Sequence, residues 1–161
     1  MTTLVTTESL LVLDTGVLGF VTHPKLSPEA LACKNWFSAL LTQGIRTAIA
    51  EISDYQLRRE LLRADKIRGL RALDFLKANL LYIPLTTDIM LRAAELWAQT
   101  RKQGKPTASP ESLDADVILA AQTLTAAHAC GYDPIIATTN VGHLQRFVQA
   151  ERWQDIALGG V

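Results

Sequence analysis

The sequence has few cysteines, no excess of positive charge and no long hydrophobic run. Its 161 residues include only Cys33 and Cys130, which are too far apart to indicate a disulfide framework or a cysteine-based zinc site. Lys plus Arg and Asp plus Glu both number 16, so the formal net charge is zero. A globally basic nucleic-acid-binding surface is therefore excluded, and any nucleic acid must be bound by local patches.

No apolar run approaches the length of a membrane span, roughly 18 residues, and no charged leader precedes a hydrophobic segment with a cleavage site. We therefore expect no membrane association and a cytoplasmic location. In that reducing compartment, both cysteines are expected to be small buried thiols. The composition, 48% hydrophobic and 20% charged, is that of a folded protein, and the length fits a single domain over residues 1–161.

Short apolar runs alternate with helical patterns along the chain. The runs predict strands at 10–13, 45–50, 80–85 and 134–138, with a last short strand near 153–156. Alternating strands and helices predict an α/β domain with a mostly parallel sheet covered on both faces. We also expect an irregular lead-in over 1–7, a helical pattern that runs from 51 past Gly69 to 79, and a helix over 141–149.

Three of the predicted strands are followed closely by polar side chains: Asp14, Glu51 and Asn140. Each alone is an ordinary helix-capping or turn residue, and Glu51 in a first helical turn gains from the helix dipole. In a parallel sheet, however, the carboxyl ends of the strands share one edge, which is where open α/β sheets hold ligands. The three side chains are therefore candidates for one site.

The helix predicted from Ser112 contributes two more acids. Leu113, Val117, Ala121 and Leu124 recur at helical spacing and define its buried face. Asp116 lies about 60° from Leu113 around the helix, beside that face, whereas Asp114 lies about 200° from Asp116. The two acids can simply stabilise a helix N-terminus. An acid beside a buried face, however, needs a compensating positive group, and clustered oxygen ligands suit Mg²⁺ or Mn²⁺.

Four segments in order resemble the motifs of PIN-domain nucleases, and most nearly those of VapC-like toxins of bacterial toxin–antitoxin pairs. The segments are Leu11-Val12-Leu13-Asp14-Thr15, Ala50-Glu51-Ile52, Asp116-Val117-Ile118-Leu119-Ala120-Ala121 and Ala137-Thr138-Thr139-Asn140-Val141-Gly142-His143-Leu144. The resemblance spans almost the whole chain. It implies a three-layer α/β/α fold and hydrolysis of phosphodiester bonds in single-stranded RNA by a metal-dependent endoribonuclease. It also implies a cognate antitoxin protein and a homodimer.

The resemblance assigns roles to particular residues. Asp14, Glu51, Asp116 and Asn140 match the four main catalytic positions, and Asp114 matches an additional acid found before the third. Asp14 and Asp116 would hold the Mg²⁺ or Mn²⁺, and Glu51 would orient or deprotonate the attacking water. Thr15 and Thr138 match hydroxyl positions beside the acids.

An acidic site repels RNA, so basic side chains must hold the strand. Arg58 and Arg59 are the candidates for positioning the substrate, within a basic stretch that follows Glu51 and includes Arg63, Lys66, Arg68 and Arg71. A second basic group, Arg101, Lys102 and Lys105, precedes the third acid. The alternative is a solvated helix face, because Glu60 and Asp65 lie among the basic residues.

Two other functions remain open. The chain could be a catalytically weak PIN-like module that binds RNA or a protein partner. It could also be a phosphatase or flavodoxin-like domain, which shares the sheet. We rank this last class lower, because Asp14 has no second Asp two residues later and no Gly-rich phosphate loop follows the first strand.

Overall fold

The computed structural model describes residues 2–103 and 110–159. The helices are α1 (Thr15–Thr22), α2 (Pro28–Thr42), α3 (Glu51–Arg63), α4 (Ile67–Asn79), α5 (Thr87–Lys102) and α6 (Pro110–Cys130). The strands are β1 (Thr3–Val5), β2 (Ser9–Leu13), β3 (Arg46–Ala50), β4 (Leu81–Ile83), β5 (Asp133–Thr138), β6 (Ala150–Arg152) and β7 (Ile156–Leu158).

Five of these strands form a parallel sheet in the order β4-β3-β2-β5-β6. β2 lies at its centre, with Leu13 opposite Ile49 of β3 and opposite Ala137 of β5. The chain leaves β2 for β3 on one side and later returns to β5 on the other, so the strand order reverses at β2. This reversal is the point at which open α/β sheets bind ligands.

Alternate residues of β2 enter different cores. Leu10 and Val12 pack with residues of α5 and α6, whereas Leu11 and Leu13 pack with α1, α2 and α4. The sheet is therefore the middle of three layers, and the predicted α/β/α fold is confirmed. None of the described helices combines the length and the hydrophobicity that a membrane span requires.

Several helix ends follow from their capping residues. Ser27 accepts a hydrogen bond from Ala30 N at the start of α2, where Pro28 occupies the first turn. α2 ends at Thr42, and Gly44 follows at φ +80°, a left-handed conformation that favours glycine. Both ends therefore follow from signals that are visible in the sequence, Ser27-Pro28 before the helix and Gly44 after it.

Other boundaries were predicted wrongly. Residues 3–5 are not an irregular lead-in, because β1 pairs in parallel with β7 and buries Val5. The helical pattern from Glu51 breaks into α3 and α4 at residues 64–66, where Asp65 has φ +54°. Gly69, past which the helical pattern was predicted to continue, lies inside α4. In place of a helix over 141–149 there is a single 3-10 turn at Leu144–Arg146.

The chain end and one cysteine also differ from expectation. Trp153–Asp155 is a 3-10 turn, the last strand follows it as β7, and β6 was not predicted. Cys33 is buried, as expected, and burial, with Glu29 adding to it, raises the pKa of its thiol to about 12. Cys130 is exposed at the last residue of α6, so the expectation that it is buried was wrong.

Candidate active site

Asp14 lies at the carboxyl end of β2 and is held by two hydrogen bonds. Its backbone is extended, so its side chain continues the alternation of Leu10 and Val12 on the α6 side of the sheet. Oδ1 accepts the Thr15 N–H at 2.7 Å, and Oδ2 accepts the Thr138 hydroxyl at 2.6 Å. Asp14 thereby caps α1 and is joined to the end of β5.

Asp116, in α6, faces Asp14 across a cavity of about 550 Å³. Burial, and to a smaller extent the negative charge of Asp14, raise its pKa from an ordinary 3.8 to about 6. The nearby His143 has the opposite, smaller effect. The structure therefore brings together two carboxylates that are 102 residues apart in sequence (116 − 14), and the charge of Asp14 disfavours ionisation of Asp116.

Three residues of α3 complete this pocket: Gln56, Arg59 and Glu60. We call it the catalytic pocket only because Asp14 and Asp116 are the acids predicted to be catalytic. The Thr15 hydroxyl donates to Gln56 Oε1 at 2.8 Å, so Thr15 joins α1 to α3. The guanidinium carbon of Arg59 lies 5.1 Å from the centre of the Tyr55 ring. Gln56 and Glu60 were not predicted as site residues. Their four-residue spacing places them on one face of α3, but the sequence does not show which face meets the pocket.

Glu51 begins α3, and its carboxylate is directed toward the end of β4. Its Oε1 accepts the Leu85 N–H at 2.8 Å, and Glu51 is not among the residues that line the catalytic pocket. The buried Gln122 of α6 reinforces this junction, since its side chain accepts from Ile52 N at 3.3 Å and donates to Ile83 O at 2.7 Å. The structure thus places Glu51 one strand away from Asp14.

Asp114 and Asn140 also lie outside the catalytic pocket. Asp114 is exposed and lines a different cavity, between α5 and α6, together with Met90 and Trp97. Asn140 is exposed. Its side-chain oxygen accepts the Gly142 N–H at 3.1 Å, and its own N–H donates to the Thr138 hydroxyl at 3.1 Å. Asn140 therefore contacts Asp14 only through Thr138.

Of the two candidate basic residues, only Arg59 lines the pocket. Arg58 instead forms a double hydrogen bond with Asp54, at 2.7 and 3.2 Å, and another with Asp74 of α4 at 2.8 Å. These partners raise the pKa of Arg58 above its usual range, the Asp54 hydrogen bond most. Arg58 therefore joins α3 to α4. Lys105, also predicted to be near the substrate, lies outside the described residues.

The donor set fits a hard divalent cation held by two protein ligands. Asp14 and Asp116 are carboxylates that face one pocket, and Mg²⁺ is commonly bound through one or two carboxylates with water and substrate phosphate completing its shell. A cation would also relieve the repulsion that raises the pKa of Asp116. Within residues 2–103 and 110–159, no group of three or more His, Cys, Asp or Glu side chains is arranged to hold a metal.

No family model matches the sequence, and no curated protein matches it. Solved structures do resemble it. The fold covers 89% of this chain and 98% of a chain in the VapBC2 complex from Rickettsia felis bound to a promoter DNA fragment, with a TM-score of 0.66 and 17% identity. The match to FitAcB from Neisseria gonorrhoeae also covers 89% of this chain and 98% of the other, with a TM-score of 0.63 and 18% identity.

A third similar structure is VapBC-1 from nontypeable Haemophilus influenzae, with a TM-score of 0.60 and 17% identity over 90% of this chain and 98% of the other. At such identities the likeness establishes the fold and no more. At that level, the fold expected from the sequence resemblance is confirmed, since it is shared with chains of the VapBC and FitAcB structures.

Proposed function

We propose that the protein is a metal-dependent endoribonuclease that hydrolyses phosphodiester bonds in single-stranded RNA and is the toxin of a toxin–antitoxin pair. The observation that carries the proposal is the opposition of Asp14 and Asp116 across one pocket at the carboxyl edge of the sheet. The fold shared with VapBC and FitAcB chains supports the same function.

In this mechanism Asp14 and Asp116 would hold a Mg²⁺ or Mn²⁺ ion. When bound, the ion supplies activation of water and neutralisation of charge on the phosphoryl oxygens. Thr138 and the Thr15 N–H keep the Asp14 carboxylate in one orientation, so that it faces the pocket before substrate arrives. Arg59, whose side chain is not paired with an acid in the described contacts, binds the phosphate next to the scissile bond.

The water-orienting role predicted for Glu51 remains a prediction. The contact of its carboxylate with Leu85 N favours a structural role instead. Glu60 is the third carboxylate that lines the pocket, and its Oε2 lies 2.9 Å from Arg63 Nη2. Glu60 is therefore the better placed of the two to accept a proton from water.

The proposal includes two kinds of partner. The similar structures are complexes of toxins with antitoxins, so we infer that a cognate antitoxin covers this acidic pocket and suppresses activity. We also infer a homodimer. Co-expression with an antitoxin encoded next to the gene should relieve growth arrest, and light scattering should give twice the chain mass.

The test is metal-dependent cleavage of labelled single-stranded RNA. The wild type should cleave as Mn²⁺ or Mg²⁺ is added and should stop cleaving on chelation. Asp14→Asn and Asp116→Asn should each lower the rate by at least about a hundredfold, the range seen when a group that stabilises developing charge is lost. Glu95→Gln, an exposed change on α5, is the control. Equal cleavage by all four proteins would assign the activity to a contaminant.

One observation favours the alternative of a catalytically weak binding module. Glu51 and Asp114 lie outside the catalytic pocket, so only Asp14 and Asp116 of the predicted acids face each other. RNA or antitoxin binding without metal-dependent cleavage, unchanged by Asp14→Asn, would establish this module and reject the nuclease.

A further inference from the structure

A second cavity of about 550 Å³, which we call the α1–α3 groove, lies next to the catalytic pocket. It is lined by Phe20, His23, Lys25, Leu57, Leu61 and Lys66. The two cavities share the lining residues Gly16 and Glu60, so the groove adjoins the pocket that holds Asp14. The volume lies within the range of small-molecule sites, roughly 300–1,000 Å³.

The groove combines an apolar floor with a positive rim. Phe20, Leu57 and Leu61 form the floor, and the exposed Lys25 and Lys66 lie at the edge. Glu60 is the acid that lines it, and Arg63 lies 2.9 Å from its carboxylate, so this pair adds no net charge. The rim is therefore positive beside an acidic pocket.

This combination matches an unstacked nucleotide chain better than a duplex. Bases stack on or pack against apolar and aromatic side chains, while lysines contact the phosphates. Bases in a duplex are already stacked and cannot enter such a cavity. An RNA strand with its scissile phosphate at Asp14 and Asp116 must also continue on at least one side.

We propose that the α1–α3 groove binds the nucleotides adjacent to the scissile phosphate, with a base against Phe20 and Leu57 and phosphates at Lys25 and Lys66. The proposal rests on the nuclease function, and it explains why that function would require single-stranded RNA. The occupant is defined by chemistry: an unpaired ribonucleotide segment of any sequence.

Binding can be tested apart from cleavage. A short fluorescein-labelled single-stranded RNA is titrated with the full chain in chelator, and anisotropy is followed across salt concentrations. Lys25→Ala/Lys66→Ala should weaken binding about tenfold at low salt and reduce the salt slope by about 1.4, the effect of losing two phosphate contacts on a single strand. Lys77→Ala/Arg92→Ala removes the same charge outside the groove and should leave the slope unchanged.

A second variant fills the floor without removing charge. A Cβ at Gly19 would meet only Leu57 Cδ1, at 3.8 Å, so a longer side chain there can enter the groove without a backbone clash. Gly19→Met should abolish RNA binding at every salt concentration while Tm stays within a few degrees of the wild type. Gly19→Ala is the control for the backbone change and should bind RNA nearly as the wild type does.

Several results would overturn the groove assignment. One is an equal loss of affinity in the two double variants, which would indicate general electrostatic attraction. Another is equal affinity for duplex RNA. A third is a Gly19→Met protein that binds RNA normally but no longer binds an antitoxin, which would assign the groove to a protein partner. Absence of metal-dependent cleavage with groove-dependent RNA binding intact would instead reject only the nuclease.

Discussion

Asp116 carries an energetic cost in the metal-free protein. Its pKa is about 6 in the folded state, against 3.8 for an ordinary carboxyl, because burial and the charge of Asp14 disfavour ionisation. The folded state therefore binds this proton more tightly than the unfolded state does. The cost is absent below about pH 4, grows as the pH rises to about 6, and is constant above that.

We expect Asp116→Asn to raise the free energy of unfolding at pH 7 by about 1–2 kcal/mol, a value reduced for the partial exposure of the side chain. The gain should shrink to near zero at pH 4. Urea denaturation in chelator between pH 4 and 8 measures it, with Glu95→Gln as the control. A gain that is the same at both pH values would contradict this account of the carboxyl.

Two variants of Glu51 can separate a structural role from the predicted role in orienting water. Because its Oε1 accepts the Leu85 N–H, Glu51→Ala should lower stability by about 1–2 kcal/mol. Glu51→Gln should cost less than half of that, since the amide oxygen can still accept. Denaturation and RNA cleavage are measured on both variants. Normal cleavage by Glu51→Gln assigns the residue to the fold, whereas lost cleavage at normal stability supports its predicted role with water.

Helices α3 and α4 are joined by Arg58, which pairs with a buried carboxylate, Asp54, and with Asp74 of α4. Asp54 is only 3% exposed, and Arg58 binds it with two nitrogens while also reaching Asp74. Tyr82 lies beside Asp54, and burial together with the charges of Asp54 and Glu51 raises the pKa of its phenol above its usual range. Removing Arg58 would leave a carboxylate in this apolar junction without its cation.

We expect Arg58→Ala to lower the free energy of unfolding by about 2–4 kcal/mol, because a buried charge loses its partner. Arg63→Ala is the matched control. It breaks an exposed pair in the same helix, with Glu60, and should cost less than about 0.5 kcal/mol. Urea denaturation compares the two. Similar costs for both variants would show that burial of Asp54 does not matter.

The boundary between α3 and α4 shows where sequence reasoning fails at the scale of elements. The apolar periodicity continues across residues 64–66, and no Pro or Gly marks the break. The left-handed Asp65 makes the turn instead, which non-glycine residues do rarely. Similarly, β1 and β6 have three residues each, too few for alternation to be detected. Longer elements with clear caps, such as α2, instead carry their boundaries in the sequence, with Ser27-Pro28 at the start and Gly44 after the end.

At the scale of the molecule, β1 and β7 form a second, two-stranded sheet. Val5 of β1 and Ile156 of β7 belong to the same hydrophobic core as Leu11 and Leu13 of β2. Trp36 of α2 donates from Nε1 to Ile156 O at 2.8 Å, and its ring lies 5.7 Å from that of Trp153. Val5 is 1% exposed among these residues, whereas its neighbour Leu4 is 59% exposed. Val5 and Leu4 are therefore a matched pair, one buried and one exposed, within the same strand.

We expect Val5→Ala to lower the free energy of unfolding by about 1.5–3 kcal/mol, through lost burial and the cavity that remains. Leu4→Ala should change it by less than about 0.5 kcal/mol. Thermal and urea denaturation of both variants test this. Equal effects would mean that β1 is attached to the core only by its backbone.

Sequence order was enough to place Asp14 at the carboxyl edge of the sheet, because a buried strand followed by a carboxylate has one consistent position in a parallel sheet. It could not show which way Glu51 points, since that depends on the Leu85 N–H, which donates a hydrogen bond to Glu51 from a loop 34 residues away. Gln56 and Glu60 were missed for the same reason. Their contacts are set by how α3 packs, and no local pattern records that packing.

The two hydrogen bonds to Asp14 have a kinetic consequence. With one oxygen held by Thr15 N and the other by the Thr138 hydroxyl, the carboxylate has no freedom to rotate, yet each oxygen keeps a lone pair for another partner. An arriving ion would find this ligand already oriented. The rate of loading should then follow the exchange of water from the ion, and not a rearrangement of the chain.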